Sequence, residues 1–405
     1  MIRLKKLFKR TAISLLLVIS VMILIVAFAT WRAAREVEAR LAPLRESGKP
    51  ISIQDLKPSP VPAAQNAAKV VQHYDDPLRK FDRLSAEAIA QIETETETET
   101  QRNAATIRVA KSVAQEFPEL NDALRAASEL PAYQLDSNDL GEPSAMADQL
   151  INPKVSPRTI VRALYAHGLM SLAAGDTDEA LRDAIAILNW SQHVARQPLL
   201  VSHLIATACY AQGIELAAKC LDAGDASPAL RTAFLAICAD ESSMRANFAD
   251  SLDSERAFGI SSFDSLPFSR FQWMLGELAL YLDAIHDFES FADAPTGIAP
   301  EGPTTSSTFA GLIWPSLQQG FLALRRQQAL SRAIRILAAW QAAGSDRGAT
   351  FADLDLPDSV VIDPYTGLPM KMQVAADTIT LYSVGKDMLD DGGSIAEGLD
   401  IGIAL

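Results

Sequence analysis

The sequence predicts a mainly α protein with an N-terminal transmembrane helix, a body of α-helical hairpins and a small C-terminal α+β module. Three observations predict it. Residues Thr11 to Thr30 carry no charge at all. A helix, Gly-Asp turn, helix pattern occurs twice between residues 160 and 240. After Gly344 the helical period gives way to short runs of β-type composition. With 405 residues, 49% hydrophobic and 21% charged, the chain has too much apolar material for disorder and enough length for several packed units.

Residues 1–10 are a basic tail with Arg3, Lys5, Lys6, Lys9 and Arg10. The uncharged run behind it, counted with Trp31 as 11–31, spans roughly 30 Å as a helix, the thickness of a bilayer's hydrocarbon core. Trp31 falls where an interfacial aromatic is favoured, and the basic cluster places the amino terminus in the cytoplasm. This predicts a single-pass protein of a bacterial inner membrane with its body in the periplasm. A cleaved signal peptide is the competing reading, because Ala27-Phe28-Ala29 has the small-x-small form of a cleavage site. The length of the apolar run, against about 7 to 15 residues in signal peptides, favours an uncleaved anchor.

Residues 32–65 read as a juxtamembrane segment. Trp31 to Ala42 has the pattern of a short charged helix ended by Pro43 and Gly48, and the four prolines of Gly48 to Pro62 predict an extended stalk. The helical body covers 66–292. Within it Glu93 to Thr100 alternates Glu and Thr with no apolar face, so a solvated surface or loop is expected. Leu172 to Leu188 matches Leu221 to Ile237 at eight of seventeen positions, and Ala163 to Gly168 matches Ala208 to Gly213. Gly175 suits the positive φ that closes a helix, and Asp176 with Glu179 has capping-box spacing. Small residues at Ala163, Ala166, Gly168, Ala173 and Ala174 favour close helix approach. These hairpins resemble tetratricopeptide-like units, with a longer period than that family's, and such arrays offer grooves to protein partners. Ser251 to Phe258 and Phe268 to Phe291 read as further helices, and 293–308 as a linker rich in Pro, Gly, Thr and Ser.

The last unit, 309–405, opens with a helical pattern from Leu317 to Ala343. It has Leu322, Leu330, Ile334, Leu337 and Trp340 toward one side and Arg325, Arg332 and Arg335 toward the other. Val360 to Ile362, Met370 to Val374 and Thr378 to Val384 are strand candidates around a turn at Asp363-Pro-Tyr-Thr-Gly367. The order of that turn, Leu381-Tyr-Ser-Val-Gly-Lys-Asp387, Asp390-Asp-Gly-Gly393 and Leu399-Asp-Ile-Gly402 resembles the globular part of the major pseudopilin of type II secretion. Taken with Gly48 to Ala68, it is similar to a family of uncharacterised bacterial single-pass membrane proteins. The pseudopilin resemblance implies a calcium-binding loop, with Asp387 and Asp400 on ligand positions; Asp390 and Asp391 are further candidates. It departs from pseudopilins in that Trp31 to Ser316 separates the long helix from the membrane segment, so filament assembly is not implied.

The residues themselves point the same way. Calcium takes six to eight hard oxygens, which a Gly-rich acidic loop supplies from carboxylates and carbonyls. An EF-hand does not fit, because Asp387 at its first position puts Leu389 and Gly398 where oxygens are required. A solvated acidic loop is the alternative: residues 346–405 hold eleven acids against three Lys/Arg.

The net charge of −14 excludes nucleic acid as a partner, and Cys209, Cys220 and Cys238 lack zinc or disulfide spacing. Of the histidines, His73, His167, His193, His203 and His286 form no His-Glu-x-x-His, and His193 and His203 are expected roughly 15 Å apart on one helix. No nucleophile elbow or phosphate loop is present. The expected function is a non-enzymatic scaffold or partner-binding protein of the envelope. The alternative is an envelope hydrolase using Glu255-Arg256 or Asp283 with Asp287 as an acid/base pair.

Overall fold

The computed structural model describes residues 2–91, 99–135, 143–151, 156–303, 307–345, 348–375, 378–395 and 397–405, so most of the Glu-Thr repeat lies outside the described residues. The described chain is mainly helical, with α1 (Ile2–Glu46), α2 (Ala67–His73), α3 (Asp75–Ala90), α4 (Glu99–Glu116), α5 (Leu120–Ser128), α6 (Pro143–Ile151) and α7 (Pro157–Ala173). These are followed by α8 (Thr177–Ala195), α9 (Leu200–Ala223), α10 (Pro228–Ala239), α11 (Glu241–Ser265), α12 (Gln272–Ala292), α13 (Thr308–Ala342) and α14 (Asp358–Val361). Strands β1 (Lys371–Val374), β2 (Ile379–Ser383) and β3 (Ile401–Ala404) form one antiparallel sheet in that order.

Helix α1 is a single 45-residue element about 68 Å long. Its apolar half is exposed as far as Phe28, as Leu16, Leu24 and Phe28 show. The separate helix expected over Trp31 to Ala42 is instead the continuation of this one. Nothing between Thr30 and Trp31 breaks it, and Ala, Arg and Glu are good helix formers. In this second half Ala33, Val37 and Leu41 recur every four residues on one face and are buried against α12. Arg40 fastens it, donating from Nε and Nη2 to both oxygens of Asp283, each at 2.7 Å. Gly48, at φ +72°, turns the chain out of the helix.

The proline-rich segment is irregular, as its prolines require, but it lies along the body rather than standing free as a stalk. Ile53 is buried and its N–H donates to Ser261 Oγ of α11 at 3.0 Å. The Val61 N–H donates to Gln134 Oε1 at 3.1 Å. Asn66 then caps α2 and also bonds both backbone groups of Gln134.

The sequence repeat corresponds to α7–α8 and α9–α10. Gly175 and Gly224 close the first helix of each pair at φ +82° and +81°. Asp176 Oδ1 accepts from the Glu179 N–H at 3.0 Å, while the Glu179 side chain turns to Arg125 and Arg182, so half of the capping box forms. A Cβ on Gly168 would lie 2.5 Å from Leu216 Cδ2, and one on Gly213 2.7 Å from Leu188 Cδ2. The equivalent glycines thus seat equivalent close helix contacts. Ala163 and Ala166 are buried in the same way, whereas Ala173 and Ala174 lie exposed at the turn.

One hydrophobic cluster runs from Leu41 of α1 through Trp190 of α8 and Leu337 of α13 to Leu381 and Ile403 of the sheet. The 293–308 segment therefore does not divide the core. Helix α13 starts nine residues ahead of Leu317, capped by Ser307, and packs on α9, α10, α11, α12 and the sheet. Arg325 and Arg332, expected on a polar face, are consequently buried. Arg325 donates to the carbonyls of Ala294, Pro295 and Gly297, and Arg332 forms a two-bond pair with Glu241 and a bond to the Ile362 carbonyl. Both lie on the side of α13 that is packed against the body, and a charge enclosed there must find partners.

Val360 to Ile362, expected as a strand, is the end of α14 followed by a bridge from Ile362 to Pro369. The third strand comes instead from Ile401–Ala404. Phe268 to Phe271 precede α12 rather than opening it, because Phe268 takes φ +67° and no helix passes through that conformation.

Candidate functional site

The acidic Gly-rich loop connects β2 to β3. Ser383 pairs with Ile401, so the loop leaves and re-enters the sheet at neighbouring positions and Asp400 lies beside its own starting point. Gly385, Gly392, Gly393 and Gly398 all have φ near +70° to +80°, and Met388 has φ +58°. At Gly385 a Cβ would also lie 3.0 Å from the Leu399 carbonyl oxygen, so only glycine allows the two ends of the loop to approach.

The base of the loop is held by Asp363, whose place in the sequence predicts only a turn. It is 1% exposed, and it accepts from the Tyr365 N–H at 2.7 Å, Ser383 Oγ at 2.9 Å and the Val384 N–H at 3.1 Å. The Asp-Pro-Tyr-Thr-Gly pattern was the available signal, since an Asp at such a turn bonds the backbone two residues on.

The four expected ligands find different partners. Asp387 and Asp390 bond backbone locally, to the Leu389 and Gly392 N–H groups. Asp390 also accepts from Tyr382 Oη at 2.9 Å and meets Lys371 Nζ at 3.1 Å, and these partners hold its carboxyl below the usual range. Burial, with Asp390 adding to it, pushes the Tyr382 hydroxyl up to about 12. Asp391 goes the other way. Desolvation and then the carboxylates of Asp387, Asp400, Asp390 and Glu397 raise its pKa. Asp400 is 2% exposed; its Oδ2 accepts from the Gly393 and Ser394 N–H groups at 2.8 and 3.0 Å, while its buried Oδ1 has no hydrogen-bond partner among the described residues. Among the described residues no group of three or more His, Cys, Asp or Glu is gathered closely enough to hold a metal ion as it stands.

The helical carboxylates considered as an acid/base pair face different partners. Glu255 Oε2 accepts from the Leu200 N–H at 3.1 Å, at the start of α9, and burial raises its pKa. Arg256, 2% exposed, turns instead to Asp253 and Glu289, with Lys49 joining the same two acids. Asp283 is occupied by Arg40 of α1. Arg256 and Asp283 thus lie in the joint between α1, α11 and α12, while Glu255 faces the start of α9.

The histidines separate as well. His193 ends α8 and His203 lies in α9, not on one helix, because Leu199 at φ +71° breaks the chain between them. His193 Nε2 bonds the Ser128 carbonyl at 3.1 Å. His203 is 1% exposed beside Phe248, and burial pushes its pKa down to about 4, opposed only in part by the Gly320 backbone. A polar centre that the sequence does not announce lies between α5, α7 and α8. Asp183, fully buried, accepts from Arg125 Nε at 2.7 Å and from His167 Nδ1 at 2.6 Å. Its position in the buried stripe of Ala180, Leu181, Ala184 and Ile187 was the signal. The cysteines are buried and unpaired, with burial pushing each thiol up to about 12.

A cavity of about 280 Å³ lies between the proline-rich segment, the 131–135 strip and the end of α8, lined by Leu56, Val61, Tyr133, Gln134, His193 and Gln197 among others. Compared with family models, curated proteins and solved structures, the chain matches none.

Proposed function

We propose that this protein is an uncleaved single-pass membrane anchor carrying a periplasmic helical scaffold that binds an envelope partner, with a C-terminal loop stabilised by calcium. The observation that carries the reading is the continuity of α1. Its exposed apolar half has the length and composition of a membrane span, and its second half is a core helix of the body. The Ala27-Phe28-Ala29 stretch sits inside that helix, with Ala29 partly buried, which disfavours proteolysis at this site. The tetratricopeptide-like hairpins and the cavity beside α8 are where a partner segment would dock.

Calcium rests on chemistry rather than on a finished cage. The loop supplies hard carboxylate oxygens, a mutually repelling set around Asp391, and in Asp400 one buried carboxylate oxygen left without a donor. Bound there, a divalent cation would neutralise that excess and fix the loop against the sheet. The test is alkaline extraction of membranes, followed by protease treatment of intact spheroplasts. The full chain should resist extraction and its body should be digested from the periplasmic side. Release by alkali, or protection in spheroplasts with digestion after lysis, would overturn the reading.

A further inference from the structure

Between α11 and α12 four large apolar side chains stand in water within eight residues: Leu266, Phe268, Phe271 and Trp273 are 38%, 66%, 49% and 61% exposed. Phe268 reaches outward from a positive-φ backbone that favours glycine, and its ring meets that of Phe271 edge-on at 5.5 Å. Arg270 lies among them, 83% exposed at its side chain, with Asp264 at 3.6 Å. Exposed apolar groups concentrated in this way mark a contact surface.

The packing of α1 says what that surface meets. Arg40 pairs with Asp283, and beyond the end of α1 Lys49 pairs with Glu289, so α1 and α12 run in the same direction. Ten residues before Asp283 is Trp273, and ten before Arg40 is Thr30. At the helical rise both lie about 15 Å back from the ion pair. The tip of α11–α12 is therefore level with the end of the uncharged run, where Phe28 and Trp31 stack at 5.8 Å and Trp31 is itself 53% exposed.

We propose that this tip is a second membrane contact. Phe268, Phe271 and Trp273 enter the interfacial layer of the bilayer that α1 spans, and Arg270 meets lipid phosphates. Aromatic side chains partition to that layer, and a cation beside them gains from anionic headgroups. Attachment at two points fixes the rotation of the body about α1, so that one chosen face looks away from the membrane. The inference rests on the anchor reading above.

The test uses the full chain in vesicles of phosphatidylethanolamine and phosphatidylglycerol. An environment-sensitive dye is placed on Phe268→Cys, on Trp31→Cys and on Leu389→Cys; the native cysteines are buried and do not compete. The proposal expects the dye at 268 to emit to the blue of that at 389 and to be quenched by lipids brominated near the headgroup, as the dye at 31 is. Quenching at 31 without quenching at 268 overturns the proposal and leaves the anchor standing, whether 268 is in water or sheltered against a second copy. Loss of quenching at both positions overturns the anchor reading and this proposal together.

Discussion

Asp183 and Asp400 are both buried aspartates, and they differ in where their partners lie. Asp183 has a cation or an N–H donor on each oxygen, supplied by α5 and α7. Asp400 has backbone donors on one oxygen and, among the described residues, nothing on the other. The helical body pairs its buried arginines internally, as Arg256, Arg325 and Arg332 also show, although Arg256 Nε and Asp75 Oδ1 find no partner among the described residues. The C-terminal loop leaves carboxylates facing one another. Groups matched inside the chain hold the fold; groups left unmatched point outside it. The same contrast runs along α1, whose buried half is fastened by Arg40 and whose apolar half stands exposed as far as Phe28.

The largest effect should come from breaking a matched site. Asp183→Ala takes the buried carboxylate from both Arg125 and His167, leaving Arg125 with Glu179 and Asp122, and is expected to cost about 3 kcal/mol in urea unfolding. Next is the pH response of His203. Its pKa is about 4 folded and about 6.5 unfolded, so the unfolded state binds the proton first. Its contribution is complete above about pH 6.5 and is lost as pH falls toward 4, by roughly 3 kcal/mol. The unfolding midpoint of His203→Leu should therefore fall less steeply over that window than that of the parent. Gly168→Ala, which drives a methyl into Leu216, should cost about 1–3 kcal/mol, while Gly175→Ala, strained by φ alone, should cost about 1 kcal/mol. The smallest effect belongs to the unmatched site. Asp400→Asn in chelator should change stability by less than about 1 kcal/mol, because the amide oxygen can keep the Gly393 and Ser394 N–H bonds and the oxygen it replaces has no donor among the described residues. It should also abolish the rise in melting temperature that calcium chloride gives the parent; an equal rise in both would remove Asp400 from the site.

What could be read in the sequence was local. The uncharged run, the Gly175 and Gly344 stops, the Asp176 cap and the apolar stripe of α13 each depend on neighbours within a turn or two, and each appears in the structure. What could not be read depends on packing. Trp31 to Ala42 looked separate because its composition changes, yet composition does not end a helix. Arg325 and Arg332 looked solvent-facing until the 293–308 segment and Glu241 closed over them. The loop carboxylates were recognisable as a group, but Asp363 at the base and the orphaned oxygen of Asp400 arise only when β2 and β3 pair.

The most direct measurement is the intact mass of the protein extracted from membranes. An uncleaved anchor predicts a mass that includes the basic tail and the whole of α1. A mature chain beginning at Thr30 would contradict it, and would leave the body without the span on which both the anchor and the second membrane contact depend.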